Sequence, residues 1–354
     1  MNRLSLLALL ALAPACGAST GTNGVDYAPL LATLTDNVAV PGIAAFTTAT
    51  DALVPALMTL ETTPTAANLA SAQKVWRETR ASWRKIDTVT SFGPASDELL
   101  RETIDATPAD DAGIDAAVNG SDSLDAAAVA ALGNQRKGFL GLEHLLFSTS
   151  GNDAVLATLT GDGAPSRRRA LAVLMAQEVA KHAHKLSDDW GAYATEVRTA
   201  GHGSTRYAIQ KDVLTLYVGG VVGALDLVTH TRLALPLGRK NSGVPDPSAD
   251  LTPGSDNAVA DMNDTLAGVK AMWTAPGLSS FVMAASVNTE ASGAQDACIA
   301  KVAAIPAPFA TALIAAAQPV QAAYSACKVW KGLWFSDLVG AIGANPLVLD
   351  GDGD

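Results

Sequence analysis

Acidic side chains stand at three places where helical periodicity puts them among apolar residues. In the segment GFLGLEHLLF (138–147), a rotation of about 100° per residue places Glu143 between Phe139 and Phe147, with His144 at the edge of that face. An isolated buried carboxylate is expensive, so Glu143 must stay protonated, pair with a cation or bind a metal. The alternative is a structural role, as a hydrogen-bonded contact between helices.

A second acid lies in VWRETRASWRKIDTVTSFGP (75–94). The same rotation places Asp87 on the face of Trp76 and Trp83, with Arg80 close on its other side. Two interpretations are open, because Asp87 either belongs to a polar site or forms a structural ion pair with Arg80.

The third place is a long helix in which Glu178 and His182 are four residues apart, on the stripe that carries Leu171 and Met175. This spacing can chelate one metal ion, whereas the competing interpretation is a partly solvated pair. The run Arg167–Arg169 lies near the start of the same helix, an unfavourable end for cations. We therefore expect these arginines to contact a partner carboxylate or solvent.

Two of the common catalytic motifs are absent from the sequence. It contains no HExxH and no glycine-rich phosphate loop. The formal net charge of −11 argues against nucleic acid and anionic lipid surfaces as partners. An acidic protein suits the periplasm and the capture of cations.

The N-terminus predicts export with a lipid anchor. A charged start precedes the largely apolar run Leu4–Ala13, and small residues precede Cys16. The apolar run falls short of the roughly 20 residues that span a bilayer, so we expect it to be removed and Cys16 to carry the lipid. An ordinary secretory signal, with Cys16 incidental, is the alternative. Gly17 stands where aspartate would favour inner-membrane retention, so we expect a location at the outer membrane, facing the periplasm.

The other two cysteines are Cys298 and Cys327. An even pair in an oxidising compartment predicts a disulfide bond between them. Neither has a cysteine or histidine neighbour at zinc-finger spacing.

The elements that must position these residues are helices. Alanine-rich segments with helical periodicity dominate and alternating β-branched runs are nearly absent, so the predicted fold class is all-α. Because 354 residues exceed the usual size of one domain, we expect two domains. The tripeptide Lys-Val-Trp at 74–76 and 328–330 suggests a duplication.

We place the boundaries from the turn and proline signals. The expected parts are a signal peptide (1–16), a flexible spacer (17–26), an N-terminal bundle (27–160), a C-terminal bundle (161–345) and an acidic tail (346–354). Helices are expected at 27–38, 41–61, 66–90, 138–148, 166–199, 207–230, 256–273, 288–304, 307–318 and 319–342. Pro41 is the expected first-turn proline of the second helix. Residues 93–135 are expected to form short helices and loops, and 238–255 a polar linker.

The segments around Asp87 and Glu143 resemble the imelysin family, bacterial envelope proteins linked to iron uptake and also classed as peptidases. NVAVPGIAAF (37–46) is similar to the family's opening helix, and the terminal DGDGD also resembles family members. The residues that match the family's Trp, Trp, acid, Phe-Gly-Pro segment are Trp76, Trp83, Asp87, Phe92, Gly93 and Pro94. Arg232, in RLALPLG, resembles the segment that closes the family's central helices.

The family's signature, GxHxxE, aligns on Gly138, Leu140 and Glu143, so the glutamate is kept and leucine replaces the histidine. His144, one turn further along, could take the place of that histidine. The resemblance implies two helical bundles with the signature helix near their interface.

These observations lead to one preferred function, a periplasm-facing lipoprotein that takes part in iron or other metal acquisition by binding. The candidate ligand residues are Glu143, Asp87, His144, Arg80 and Arg232, followed by Glu178 and His182. Carboxylate with imidazole suits Fe or Zn as the metal. A metal or small ligand and an envelope protein are the expected partners.

Two other functions compete with this one. The first is a metal-dependent peptidase acting on envelope proteins. It ranks below binding because Leu140 leaves no trio of metal ligands at fixed spacing. The second is a structural lipoprotein without any ligand.

Overall fold

The computed structural model describes residues 24–240, 243–274 and 276–345. Cys16, the signal peptide, most of the spacer and the acidic tail lie outside the described residues. Within these ranges every regular element is a helix, which confirms the all-α prediction. The α-helices are α1 (Ala28–Leu34), α2 (Val40–Thr62), α3 (Ala66–Lys85), α4 (Gly93–Asp97), α5 (Leu100–Asp105), α6 (Asp111–Asn119), α7 (Ala126–Ala130), α8 (Gly138–Leu146), α9 (Asn152–Leu159), α10 (Ala164–Arg198), α11 (Gln210–Asp226), α12 (Ala258–Trp273), α13 (Ala285–Ala303), α14 (Phe309–Ala315), α15 (Ala317–Leu333) and α16 (Val339–Ile342).

Short segments of other helical types complete the backbone. Wide, π-helical turns continue α1, α11 and α15 without a break, at Thr35–Ala39, Leu227–Ala234 and Trp334–Leu338. Tight 3₁₀ turns lie in loops, at Asn134–Arg136, Pro247–Ala249 and Leu278–Phe281.

The first two predicted helices form one continuous run, so the break expected between 38 and 41 is wrong. The Val40 N–H donates to the Thr35 carbonyl five residues back, which widens the turn directly before Pro41. Proline cannot donate to the preceding turn of an α-helix, and the wide turn lets the helix continue past the missing donor.

A first group of helices is built around α2, α3 and α10, which pack side by side. The Thr47 hydroxyl of α2 donates to the Ala183 carbonyl of α10 at 3.2 Å. The signature helix α8 lies against α10 and α3, where the Trp76 indole donates to the Phe139 carbonyl at 3.2 Å. The domain boundary at 160 stays a prediction.

A second group contains α11, α12, α13 and α15. The predicted disulfide is present, since Cys298 of α13 is bonded to Cys327 of α15. The two groups meet where α12 packs on α3. At Gly268 of α12, an added Cβ would lie 2.2 Å from the Lys85 carbonyl oxygen, so only glycine allows the helices to approach this closely.

Two helical runs, Ala28–Thr62 and Gln210–Ala234, have the length and mean hydropathy of a membrane span. A core helix passes the same test. Both runs contribute completely buried side chains to the core, among them Leu31, Phe46 and Leu225.

Candidate functional site

The signature helix α8 is positioned by its first residue. Gly138 has a φ of +71°, and an added Cβ would lie 2.3 Å from the Ile104 carbonyl oxygen. Only glycine tolerates both the left-handed backbone and the contact with the end of α5. The glycine of the signature therefore fixes where α8 starts and which way Glu143 faces.

Glu143 is buried, with 5% of its surface exposed. Its Oε1 accepts hydrogen bonds from the Ser255 N–H and the Ser255 hydroxyl, both at 2.9 Å. Burial raises the pKa of Glu143 to about 7, while the Ser255 hydrogen bonds and the charge of Arg80 act in the opposite direction. This carboxyl group therefore changes its protonation state near neutral pH.

Glu143 lines a cavity of about 520 Å³, which we call the Glu143 cavity. Its apolar walls include Leu140, Phe147 and Val155, and its polar lining includes Asp111, His144, Arg168 and Asp250. Leu140, which replaces the signature histidine, gives the cavity an apolar wall at that position.

His144 also lines the cavity, but its ring is bound elsewhere. Its Nε2 lies 2.8 Å from Asp115 Oδ1 and its Nδ1 lies 3.2 Å from Asp111 Oδ1. Both carboxylates belong to α6. No hydrogen bond or ion pair joins His144 to Glu143 within the described residues, so the imidazole is held to α6 rather than offered to the glutamate.

Residues 246–257, here called the roof loop, cover the other side of the cavity. The described part of the linker expected over 238–255 forms turns and one short 3₁₀ segment, and its Asp250, Thr252 and Ser255 are buried. The Asp250 Oδ1 accepts the Thr252 N–H at 2.9 Å, which shapes the turn that brings Ser255 to Glu143. The Arg77 guanidinium donates to the Ser255 carbonyl at 3.1 Å and stabilises the same turn.

Beside the cavity lies a second polar site, which we call the Arg–Asp cluster. It consists of six buried residues from α3, α5, α12 and their neighbours: Arg80, Arg84, Asp87, Asp105, Arg232 and Asp261. Three guanidiniums face three carboxylates where α3 meets α12.

Asp261 is the centre of the cluster. Its carboxylate accepts from Arg80 Nε at 2.9 and 3.0 Å, from Arg232 Nη1 at 2.7 Å and from Asn257 Nδ2 at 2.7 Å. Burial alone would raise the pKa of Asp261, but the charges of Arg80, Arg232 and Arg84 outweigh it and hold that pKa well below its usual range.

One of the two interpretations of Asp87 was an ion pair with Arg80, and the structure gives both residues other partners. Arg80 binds Asp261 and, through Nη1 at 2.7 Å, Asp105. Asp87 is instead held by Arg84 at 3.3 Å and by the Thr265 hydroxyl at 2.7 Å. Periodicity compares residues of one helix only, whereas the carboxylates that Arg80 binds come from α5 and α12.

The candidate residues therefore separate into two places. Arg80, Asp87 and Arg232 belong to the Arg–Asp cluster, and Glu143 and His144 line the cavity. Asp87 does not reach the cavity wall, so the five candidates do not form one pocket.

Glu178 and His182 contact each other on α10. The Glu178 Oε1 lies 3.0 Å from His182 Nε2, and its Oε2 lies 3.2 Å from the ammonium of Lys181. Neither residue lines the cavity. The geometry agrees with the partly solvated pair that was the competing interpretation.

Sequence reasoning missed several residues of both places. Asp261 lies between Ala258 and Thr265 on the buried stripe of α12, so the periodicity that singled out Glu143 could have found it. Asp250 and Ser255 belong to a loop, where the chain carries no periodic signal.

The donor set does not fit a resident metal ion. Within the described ranges, no group of three or more His, Cys, Asp or Glu could hold one. Asp111 and Asp115 contact opposite nitrogens of His144, so these three cannot converge on one ion. The signature histidine, which could have served as a metal ligand beside Glu143, is replaced by Leu140.

The fold and site define an all-α protein whose signature helix places a buried glutamate against a cavity, next to a buried ion cluster. The chain belongs to the imelysin family, whose model, Imelysin (Peptidase_M75), matches residues 39–328. This confirms the resemblance seen in the sequence.

Relatives and solved structures agree with the assignment. Iron-regulated protein A of Synechococcus elongatus is 31% identical over 208 residues, 57% of this chain and 53% of that protein. The chain thus spans about half the length of this curated relative. An imelysin-like protein from Psychrobacter arcticum 273-4 has a TM-score of 0.74 at 18% identity, covering 91% of this chain and 96% of that one. A crystal structure from Parabacteroides distasonis ATCC 8503, assigned as an iron-regulated protein A precursor, has a TM-score of 0.72 at 18% identity, covering 89% and 93%. At this identity, the two structures support the fold.

Proposed function

We propose that this protein takes part in iron acquisition at the cell envelope and acts by binding a ligand in the Glu143 cavity. The single observation that carries the binding site is Glu143 itself, a buried carboxyl group on the wall of a cavity of about 520 Å³. That volume falls within the roughly 300–1,000 Å³ of small-molecule sites.

The iron-related part of the proposal rests on the comparisons. One relative carries the name iron-regulated protein A, and the Parabacteroides structure is assigned to the same kind of protein. A shared role in the response to iron is the simplest extension of those names to this chain.

A metal such as Fe or Zn remains part of the proposal as cargo. Because the described residues supply no trio of ligands, a metal would need further ligands, such as those of a chelator bound with it. No step of the proposed function therefore depends on direct coordination by this chain.

Growth under iron limitation tests the role. We expect deletion of the gene in the native bacterium to slow growth when iron is scarce and to have no effect when iron is plentiful. The wild-type gene and the control variant Glu178→Gln should restore growth, and Glu143→Gln should not. Equal growth of the deletion strain and its parent would refute the iron role, and full rescue by Glu143→Gln would refute the site.

The location is proposed from the N-terminal sequence and from the Parabacteroides protein, which is described as a precursor. A lipid on Cys16 would anchor the protein to the outer membrane, facing the periplasm. Fractionation of cells that express the wild type and Cys16→Ser tests this. We expect the wild type in the outer-membrane fraction and the variant in the soluble periplasmic fraction. Recovery of both in the same fraction would contradict the anchor.

The two competing functions predict different results. A metal-dependent peptidase should cleave denatured envelope proteins in a chelator-sensitive manner, and that cleavage should disappear in Glu143→Gln. A structural lipoprotein should bind neither metal nor small molecule in calorimetric titrations.

A further inference from the structure

Two buried carboxyl groups face the Glu143 cavity from different parts of the chain. Glu143 of α8 and Asp250 of the roof loop are 5% and 7% exposed, and both line the cavity. Each uses one oxygen within the protein, since Glu143 Oε1 accepts from Ser255 and Asp250 Oδ1 accepts from Thr252. Within the described residues, Glu143 Oε2 and Asp250 Oδ2 accept no hydrogen bond.

No protein cation is bound to these two carboxyl groups in the described part of the chain. Arg168, the guanidinium on the cavity wall, donates to the carbonyls of His144 and Leu145. Arg77 stacks on the outer side, 4.6 Å from the centre of the Phe147 ring, and donates to Ser255. A buried carboxylate that lacks a paired cation is costly, so the cavity favours a cation or a proton from outside.

Much of the rest of the cavity wall is apolar and favours contact with the hydrocarbon part of a ligand. Leu140, Phe147, Val155 and Leu251 line the cavity. A space of about 520 Å³ is far larger than one ion needs, and a metal ion would require several ligands at about 2 Å. The cavity thus combines acid groups and an apolar surface without a metal-binding trio.

We propose that the Glu143 cavity binds a small organic cation, whose ammonium or guanidinium group is held by Glu143 and Asp250 and whose carbon chain lies on Leu140 and Leu251. This inference names the ligand class of the site proposed above and rests on that site being used for binding. In this proposal the two carboxyl groups contact an organic molecule and not a bare metal ion.

The charges around the site explain how binding is coupled to protons. Glu143 interacts electrostatically with Arg77 and Arg80 of α3 and with Asp250 of the roof loop, and Asp111, His144 and Arg168 also line the cavity. Burial raises the pKa of Glu143 to about 7 and raises that of Asp250. An organic cation binds the ionised carboxylates, so binding near neutral pH releases protons from the protein.

Calorimetric titration with 1,4-diaminobutane tests the proposal, using the purified mature protein. We expect saturable binding of one diamine per chain, about tenfold tighter at pH 8 than at pH 6 because Glu143 ionises between them. Titration in two buffers of different ionisation enthalpy should show proton release near pH 7. This measurement uses the wild type alone and does not depend on a variant's folding.

The variants locate the site. Glu143→Gln and Asp250→Asn should each weaken diamine binding about tenfold or more, since charge-assisted hydrogen bonds are lost. Glu178→Gln, which changes an acid outside the cavity, should bind as the wild type does. The neutral isostere 1,4-butanediol should not bind.

The proposal would be overturned by no saturable binding of the diamine at millimolar concentration, by equal affinity in both carboxyl variants and the wild type, or by equal binding of the diol. Binding of Zn²⁺ or Fe³⁺ alone that disappears in Glu143→Gln, without diamine binding, would also overturn it and leave the proposed role in iron acquisition standing. Failure of the iron-limitation phenotype would instead refute that role without changing the titration.

Discussion

Among the described residues, Glu143 accepts hydrogen bonds through Oε1 alone, and its burial determines how it titrates. Ser255 donates twice to Oε1, but burial dominates and raises the pKa to about 7. In the unfolded chain the same group titrates near its ordinary value, so the folded protein binds this proton more tightly. The carboxyl group therefore costs stability once it is ionised.

Glu143→Gln should consequently stabilise the protein in a pH-dependent manner. A raised carboxyl pKa means that wild-type stability falls as pH rises from about 5 to about 7 and stays lower above that range. We expect the free energy of unfolding of the variant, relative to wild type, to rise by about 2–3 kcal/mol between about pH 5 and pH 8. Denaturant titrations at both pH values measure it.

Glu78→Gln is the matched control, because Glu78 is an exposed acid of α3 paired with Lys74. It should show no such trend with pH. A constant difference between Glu143→Gln and wild type over this range would show that Glu143 titrates at its ordinary pKa.

Asp261 has the opposite behaviour, because its charge neutralises the guanidiniums around it. Asp261→Asn should lower the free energy of unfolding by about 3–5 kcal/mol, the usual cost of removing one partner from a buried ion pair. Denaturant titration near neutral pH measures the loss. Asp296→Asn breaks an exposed pair with Lys270 and should cost about 0–1 kcal/mol. Equal effects of the two changes would mean that the cluster contributes no more than a surface pair.

At this scale the sequence revealed which acids are buried but not what they contact. Periodicity predicted that Asp87 and Glu143 are buried, and both are, although α3 ends at Lys85 and Asp87 lies in the turn that follows it. It paired Arg80 with the wrong acid because the true partner, Asp261, is 181 residues away in the chain. Periodicity could not predict the burial of Asp250, because that residue lies in a loop and is covered by other parts of the chain.

Among the elements, the three arginines at the start of α10 have a role that the sequence did not suggest. Each one donates to carbonyls at the ends of neighbouring helices, and Arg168 also forms the expected pair with a carboxylate, Asp115, at 3.7 Å. Arg167 binds the carbonyls of Ala117 and Val118 at the end of α6, and Arg168 those at the end of α8. Arg169 binds the Glu61 carbonyl of α2 and the Leu159 carbonyl of α9.

These contacts satisfy carbonyls that have no partner within their own helices. They also place cations at negative helix ends, which offsets the unfavourable position of the arginines near the N-terminus of α10. One short stretch of sequence thus orders the ends of four helices around α10.

Arg167→Ala should lower the free energy of unfolding by about 1–3 kcal/mol, because several charge-assisted hydrogen bonds to α6 and the Asp122 carbonyl are lost. In hydrogen exchange, the amides of α6 should exchange faster in the variant than in the wild type, and those of α2 should change less. Arg198→Ala, which removes an exposed pair with Asp36 from the other end of α10, should change stability by less than about 1 kcal/mol. If Arg167→Ala lowers stability no more than this control, water replaces the guanidinium hydrogen bonds without a loss of stability, and the prediction is wrong.

Element positions followed from the sequence because apolar periodicity, glycines and prolines mark where helices run and end. The continuity of α1 and α2 did not follow, since whether a helix breaks or widens before Pro41 depends on packing. Here the Thr35 hydroxyl in the wide turn lies 2.8 Å from the Tyr217 hydroxyl of α11.

For the whole molecule, the all-α fold was predictable from composition and periodicity, and the disulfide from the pairing of the two remaining cysteines. The meeting of both helix groups at α3 and α12 was not, because it depends on charges and on a glycine that act only once the groups are in contact.

The disulfide should stabilise the second helix group. It closes a loop between residues 29 positions apart, so the double variant Cys298→Ala/Cys327→Ala should lose about 3 kcal/mol of unfolding free energy. Reductant should bring the wild type to the level of this variant and leave the variant itself unchanged. A wild type that is insensitive to reductant during unfolding would contradict the expected contribution.

The Arg–Asp cluster also sets an order of events during synthesis. A chain made from its N-terminus presents Arg80, Arg84, Asp87 and Asp105 early, whereas Asp261 emerges much later. Until α12 docks, Arg80 and Arg84 lack the Asp261 carboxylate, and burying their charges without it is costly. Contacts of such long sequence separation fold slowly, which leaves the early helices exposed to proteases and chaperones for longer. The first half of the chain therefore completes its ion pairs only when α12 supplies Asp261.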